Sequence, residues 1–182
     1  MRLALAALAV IILAPRALHA GDAENRKAEV GVGIVGLSVF SQEGETITML
    51  GVPNTTFFAP AVVYASFFVT PKLALEPQLG VLYVSEDDDS YHIATFAGQV
   101  DYFFKGKERP SPYVFGRGSL TNVGGDDDSD TSSSLGGGLG YRFPVGGRAL
   151  LRIEGRFDHR FEQDFDPGAN TFSVSLSLGM AL

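Results

Sequence analysis

The 182 residues include no cysteine and no tryptophan, and only three histidines. Without cysteine there is neither a disulfide framework nor a thiol for lipid attachment, so packing and hydrogen bonds must hold the fold. Basic residues are scarce as well: 14 Lys and Arg stand against 21 Asp and Glu, a formal charge of −7. The basic stripe that marks a nucleic-acid partner is missing, which excludes that class. Beyond residue 20 no run of about twenty apolar residues occurs, so no transmembrane helix can form. If such a chain sits in a membrane it must do so as a closed barrel, the other way of satisfying backbone groups in lipid.

What is present begins with a leader. Residues 1–20, MRLALAALAVIILAPRALHA, open on Arg2, continue through apolar Leu3 to Ala14 and end in Ala20. That pattern reads as a secretory signal cleaved after Ala20. Removing Arg2 and Arg16 leaves 12 basic against 21 acidic residues, or −9. A short segment, 21–27, then precedes a single domain spanning 28–182.

Helical periodicity is absent from that domain, and β-branched residues, aromatics and glycine dominate it. Eight extended segments are expected, near 28–41, 57–70, 73–85, 91–104, 112–123, 134–143, 149–161 and 171–182. Short connections (TPK, KGKERPS, PVGGR) alternate with mostly longer ones (SQEGETITMLGVPNTT, SEDDDS, GGDDDSDTSSS, EQDFDPGAN). With both termini at one end, one rim carries tight turns and the other loops, as in up-and-down membrane barrels. The loop side holds thirteen acids (Glu43, Glu45, Glu86 to Asp89, Asp126 to Asp128, Asp130, Glu162, Asp164, Asp166) and no Lys or Arg. Lys72, Lys105, Lys107, Arg109 and Arg148 occupy the turn side.

Strict alternation distinguishes the two faces of the wall. In TFSVSLSLGMAL, Phe172, Val174, Leu176, Leu178 and Met180 oppose a row of Ser, Thr and Gly. The same rule sets Leu75 and Leu79 against Glu76 and Gln78, Val100 against Asp101, Leu139 and Tyr141 against Gly138 and Arg142, and Ile153 against Arg152 and Glu154. An eight-stranded interior has room only for side chains or one small ligand. Turning the polar rows inward brings Glu76, Asp101, Glu154 and Asp158 to Arg117, Arg142, Arg152 and Arg156, four negatives to four positives. Aromatics in two bands are expected to girdle the outside. Phe67, Phe68, Tyr102, Phe103, Phe104, Tyr113, Phe115, Tyr141 and Phe143 lie near the turns; Tyr83, Tyr91, Phe157, Phe161 and Phe172 lie near the loops. A bulge is expected near Gly36, where the first segment changes parity, and an irregularity at Pro60.

FFVTPKLALEPQLGVLYVS and GGGLGYRFPVGGRALLRIEGRF resemble hairpins of the small outer-membrane β-barrel superfamily, which includes the outer membrane protein A and X barrels. The resemblance spans about residues 28–182. It implies an all-β fold, an eight-stranded antiparallel up-and-down transmembrane β-barrel in the outer membrane of a Gram-negative cell. Barrels of this group usually end in an aromatic that the assembly machinery reads, whereas this chain ends in Leu182.

Candidate chemistry is sparse. Only His92 and His159 lie beyond the leader, and His159 faces away from its neighbour Asp158. The His-x-Ser-Asn arrangement of the lipid A deacylases on similar barrels is absent. DDDSD at 126–130 spaces Asp126, Asp128 and Asp130 as a calcium loop begins, but Thr131 and Gly137 occupy positions where such a loop needs Gly and Glu. No catalytic, cofactor or metal residues are therefore assigned. The expectation is a monomeric, non-enzymatic barrel with a structural or surface-interaction role. Its partners would be the assembly machinery and outer-membrane lipids, lipopolysaccharide included. The alternatives are an enzyme acting on lipid A or phospholipid, a low-conductance pore, and a soluble exported barrel carrying an apolar ligand.

Overall fold

The computed structural model describes residues 27–42, 45–51, 62–86, 89–106, 110–125, 129–161 and 168–182. The leader and most of the loop acids, including Asp126 to Asp128, lie outside the described residues. Nine antiparallel strands follow in order: β1 (Ala28–Gln42), β2 (Glu45–Gly51), β3 (Val62–Thr70), β4 (Leu73–Glu86), β5 (Asp89–Phe103), β6 (Ser111–Gly124), β7 (Ser129–Gly146), β8 (Ala149–Arg160) and β9 (Ala169–Ala181). From β3 onward each pairs with the next, and β9 returns to β1, closing the wall.

The wall has eight strand positions because β2 and β3 share one. Both pair with the same side of β1, β2 beside Gly36–Gln42 and β3 beside Ala28–Val32. Gly36 faces Gly51 and Val32 faces Val63, so the two strands follow one another along the same edge of β1. The expected second segment (57–70) is therefore a strand only from Val62 among the described residues, and Pro60 lies outside them. The expected parity change in β1 is real, and the bulge that makes it, near Gly36, falls between Gly33 and Val35.

At the turn end, Thr70 caps its connection: its Oγ1 accepts from the amides of Lys72 (3.2 Å) and Leu73 (3.0 Å). Gly146 (φ 125°) and Gly147 (φ 53°) supply the left-handed backbone that the β7–β8 turn requires. The register slips between Pro144 and Gly146, where a residue without an N–H is tolerated. At the other end the structure corrects the expected loops. SEDDDS and GGDDDSDTSSS are mostly strand, with Ser129–Ser134 paired against Ser119–Gly124. ETITMLG, read as part of a loop, is β2. Ser and Asp are weak strand formers, but an ordered neighbouring strand offers them a ladder, and context overrides propensity.

The faces sort as alternation requires. Leu139 is 67 % exposed and Phe96 59 %, whereas Arg152 is 1 % exposed and Asp101 0 %. The aromatic bands need correction. Phe67, Tyr102, Phe104, Tyr83, Phe157, Phe161 and Phe172 do face outward. Phe68, Phe103, Tyr113 and Phe115 instead fill the turn end of the interior with Ala74. Their rings run in a chain with centroids 5.4, 4.8 and 6.1 Å apart. Tyr91 also turns inward, toward a cavity at the loop end. These five have inward parity; position along the strand had grouped them with their outward neighbours.

Glycines on the inner face make the room. A Cβ at Gly136, Gly138 or Gly140 of β7 would strike Asp158, Phe115 or Tyr113. Gly31 and Gly179, paired across the β1–β9 seam, likewise leave space for the ring of Tyr64.

Candidate functional site

The interior above the aromatic cluster is a stack of ionic layers. Lowest, Arg142 on β7 pairs with Glu29 on β1. Next, Arg152 on β8 contacts three carboxylates: Glu76 at 2.5 Å, Glu154 at 2.9 Å and Asp101 at 3.5 Å. β4 and β8 are opposite walls of the barrel, so the Arg152–Glu76 pair spans its diameter. The guanidinium also lies 4.6 and 5.1 Å from the ring centroids of Tyr64 and Tyr113. Further bonds occupy the carboxylates. Ser66 and Gln78 donate to Glu76, Gln99 to Asp101, and Tyr113 to Glu154.

Above this, Asp158 accepts Arg117 at 3.3 Å and pairs with Arg156 at 2.6 Å. Gln78 joins the two layers, accepting Arg117 Nε at 3.1 Å while donating to Glu76 and Gln99. The two layers thus carry opposite excess charge. Three carboxylates surround one guanidinium below, and two guanidinium groups share one carboxylate above. A buried ionic set survives desolvation only if matched and hydrogen-bonded in this way.

All eight ionic residues assigned to the interior are there. Two more were missed. Glu29 precedes the β1 bulge, which hides its parity, and Arg160 continues the inward row of Arg152, Arg156 and Asp158 to the end of β8.

Over the Arg117–Asp158 layer lies a cavity of about 300 Å³ that opens toward the loop end. Its walls are rich in hydroxyls. Thr95 and Thr121 pair at 3.0 Å, Ser119 and Ser134 at 2.6 Å. Arg160 reaches in with its guanidinium 5.4 Å from the Phe40 ring.

A closed wall of eight strand positions has solved counterparts. Neisserial surface protein A aligns at TM-score 0.65 over 85 % of this chain and 97 % of its own, with 15 % identity. This chain has the fold of a small outer-membrane β-barrel. Ail of Yersinia pestis, solved with the heparin analogue sucrose octasulfate, shares it at TM-score 0.51, 12 % identity, and 86 % and 98 % coverage. AlkL, an outer membrane protein solved in DMPC lipid bilayers, aligns at TM-score 0.50 and 12 % identity over 91 % of this chain and 94 % of its own. No family model matches the sequence, and no curated protein matches it.

The remaining candidates are placed apart from this interior. His92 lies on the outer face of the barrel with Nε2 3.1 Å from Asn122 Oδ1. His159, also outward, has Nδ1 2.9 Å from Asn170 Oδ1. Asp158, next in sequence, points inward. Asp130 lies at the cavity wall, where its Oδ1 accepts the amide of Thr131 at 2.7 Å. Among the described residues, no three His, Asp or Glu side chains gather as a metal site.

Proposed function

We propose that this protein is an integral barrel of the bacterial outer membrane, exported on residues 1–20, with a structural or surface-interaction role and no catalytic activity. The observation that carries this reading is the inverted distribution of polarity. Soluble monomers rarely expose apolar patches beyond a few hundred Å², and here Val81, Phe96, Leu120, Leu139 and Leu178 are all exposed on a closed wall. Hydrocarbon solvates such a surface; water does not. The acidic loop end would face outward and meet lipopolysaccharide, with divalent cations bridging carboxylate and phosphate. The monomer would reach the membrane through the barrel assembly machinery. Ionic pairs that cross the lumen support a plugged barrel over a pore, and the separation of both histidines from the inner carboxylates supports a non-enzymatic role.

Fractionation of the envelope tests the reading. The protein should appear in the outer-membrane fraction and shift in mobility on boiling; recovery in the soluble periplasm without detergent would overturn it. Purified barrel should leave lipid A and phospholipid unchanged and should not give steady conductance in planar bilayers.

A further inference from the structure

We infer that the cavity above the Arg117–Asp158 layer is a binding site for a neutral, hydroxyl-rich ligand of the size of a mono- or disaccharide. Its volume of about 300 Å³ is at the lower bound of pockets that hold small ligands, about 300–1,000 Å³. The floor is shut by the ionic layers, and the mouth opens at the loop end, so the space is a cup rather than a passage.

Three features of the lining select the ligand class. The first is unspent hydrogen bonding. A hydroxyl donates one bond and accepts two, and the Thr95–Thr121 and Ser119–Ser134 dyads each use one hydrogen between their members. Ser132 and Thr171 add two more hydroxyl side chains to the lining. A hydroxyl facing the cavity can bond whatever occupies it, and a polyol supplies alternating donors and acceptors.

The second feature is the pair of rings, Phe40 on β1 and Tyr91 on β5. They give the cup apolar surfaces against which the C–H face of a sugar ring can lie. The third is electrostatic. Arg117 is already matched by Asp158, and Arg160 stands over Phe40. An anion must first pass a rim whose sequence carries acids and no Lys or Arg, and within the cup Arg117 and Arg160 stand against Asp130 and Asp158, so neither sign of charge is favoured. A neutral ligand suits a lining with no excess charge.

The inference does not depend on the solvent around the barrel, so its test is separate from that of membrane placement. Uniformly ¹⁵N-labelled barrel folded in detergent is titrated with glucose, maltose and sucrose, and in parallel arms with sodium sulfate and spermidine. A saturable shift of the Thr95, Ser132 and Thr171 amides by at least one sugar is expected. The isosteric double variant Thr95→Val/Thr121→Val should weaken it about tenfold, equivalent to about 1.4 kcal/mol. Ser177→Ala, set in the turn-end half of β9, should leave it unchanged. The inference is overturned if no sugar gives saturable shifts, if sulfate or spermidine binds the same amides more tightly, or if the double variant binds sugar as the parent does.

Discussion

The two halves of the interior are built from the same inward rows, yet they solve different problems. Toward the turns, Phe103, Tyr113 and Phe115 close the bottom and Arg152 is wholly surrounded by carboxylates and rings. Toward the loops, Ser and Thr take the inward positions, and a cavity is left between them. Below, two large rings are matched by absent side chains, since Gly138 and Gly140 give way to Phe115 and Tyr113. Above, small side chains face small side chains. The lesson is that the lower half is fixed by mutual dependence, whereas the upper half tolerates change because water can replace whatever is removed.

The sharpest way to break that contrast is Arg152→Met. It strands Glu76, Asp101 and Glu154, and should cost about 3–5 kcal/mol, read as a lower urea midpoint for unfolding in lipid vesicles. Gly140→Ala should come next, at about 1–3 kcal/mol, because a methyl meets the Tyr113 ring in a filled core. Combining it with Tyr113→Leu should recover part of the loss in a double-mutant cycle. Arg117→Met is expected to cost about 1–2 kcal/mol; Arg156 still neutralises Asp158, and the adjacent cavity admits water. Smallest of all, Ser119→Ala with Ser134→Ala removes both members of a dyad and should change stability by less than about 0.5 kcal/mol. A loss there as large as that of Arg152→Met would abolish the distinction between the halves.

The faces of β4 to β9 were legible because strict alternation survives there, and it delivered Glu76, Asp101, Arg117, Arg142, Arg152, Glu154, Arg156 and Asp158 to the interior. Where alternation breaks, reading failed. Ile34 sits in the register shift that moves β1 from one parity to the other, so Glu29 could not be assigned until the strands were paired. The turn-end aromatics were misplaced for another reason: adjacent positions such as Tyr102 and Phe103 share a height but not a side. β2 was lost among loops because ETITMLG lies within a longer Ser-, Gly- and Thr-containing stretch and its strand character shows only in its pairing with β1. The cup was not legible at all. It depends on which rows stand opposite each other, and that is set by register around the whole wall.

Tyr64 lies across Gly31 and Gly179, residues from the first and last wall strands that face each other in register. The stretch between those glycines is nearly the entire barrel, so bringing them together carries the largest loop-closure entropy in the molecule and contributes nothing until it is complete. During folding this seam should therefore zip last, and the Tyr64 ring can settle only when it does. Tyr64 thus touches both strands of the seam, and its packing is complete only in the closed wall.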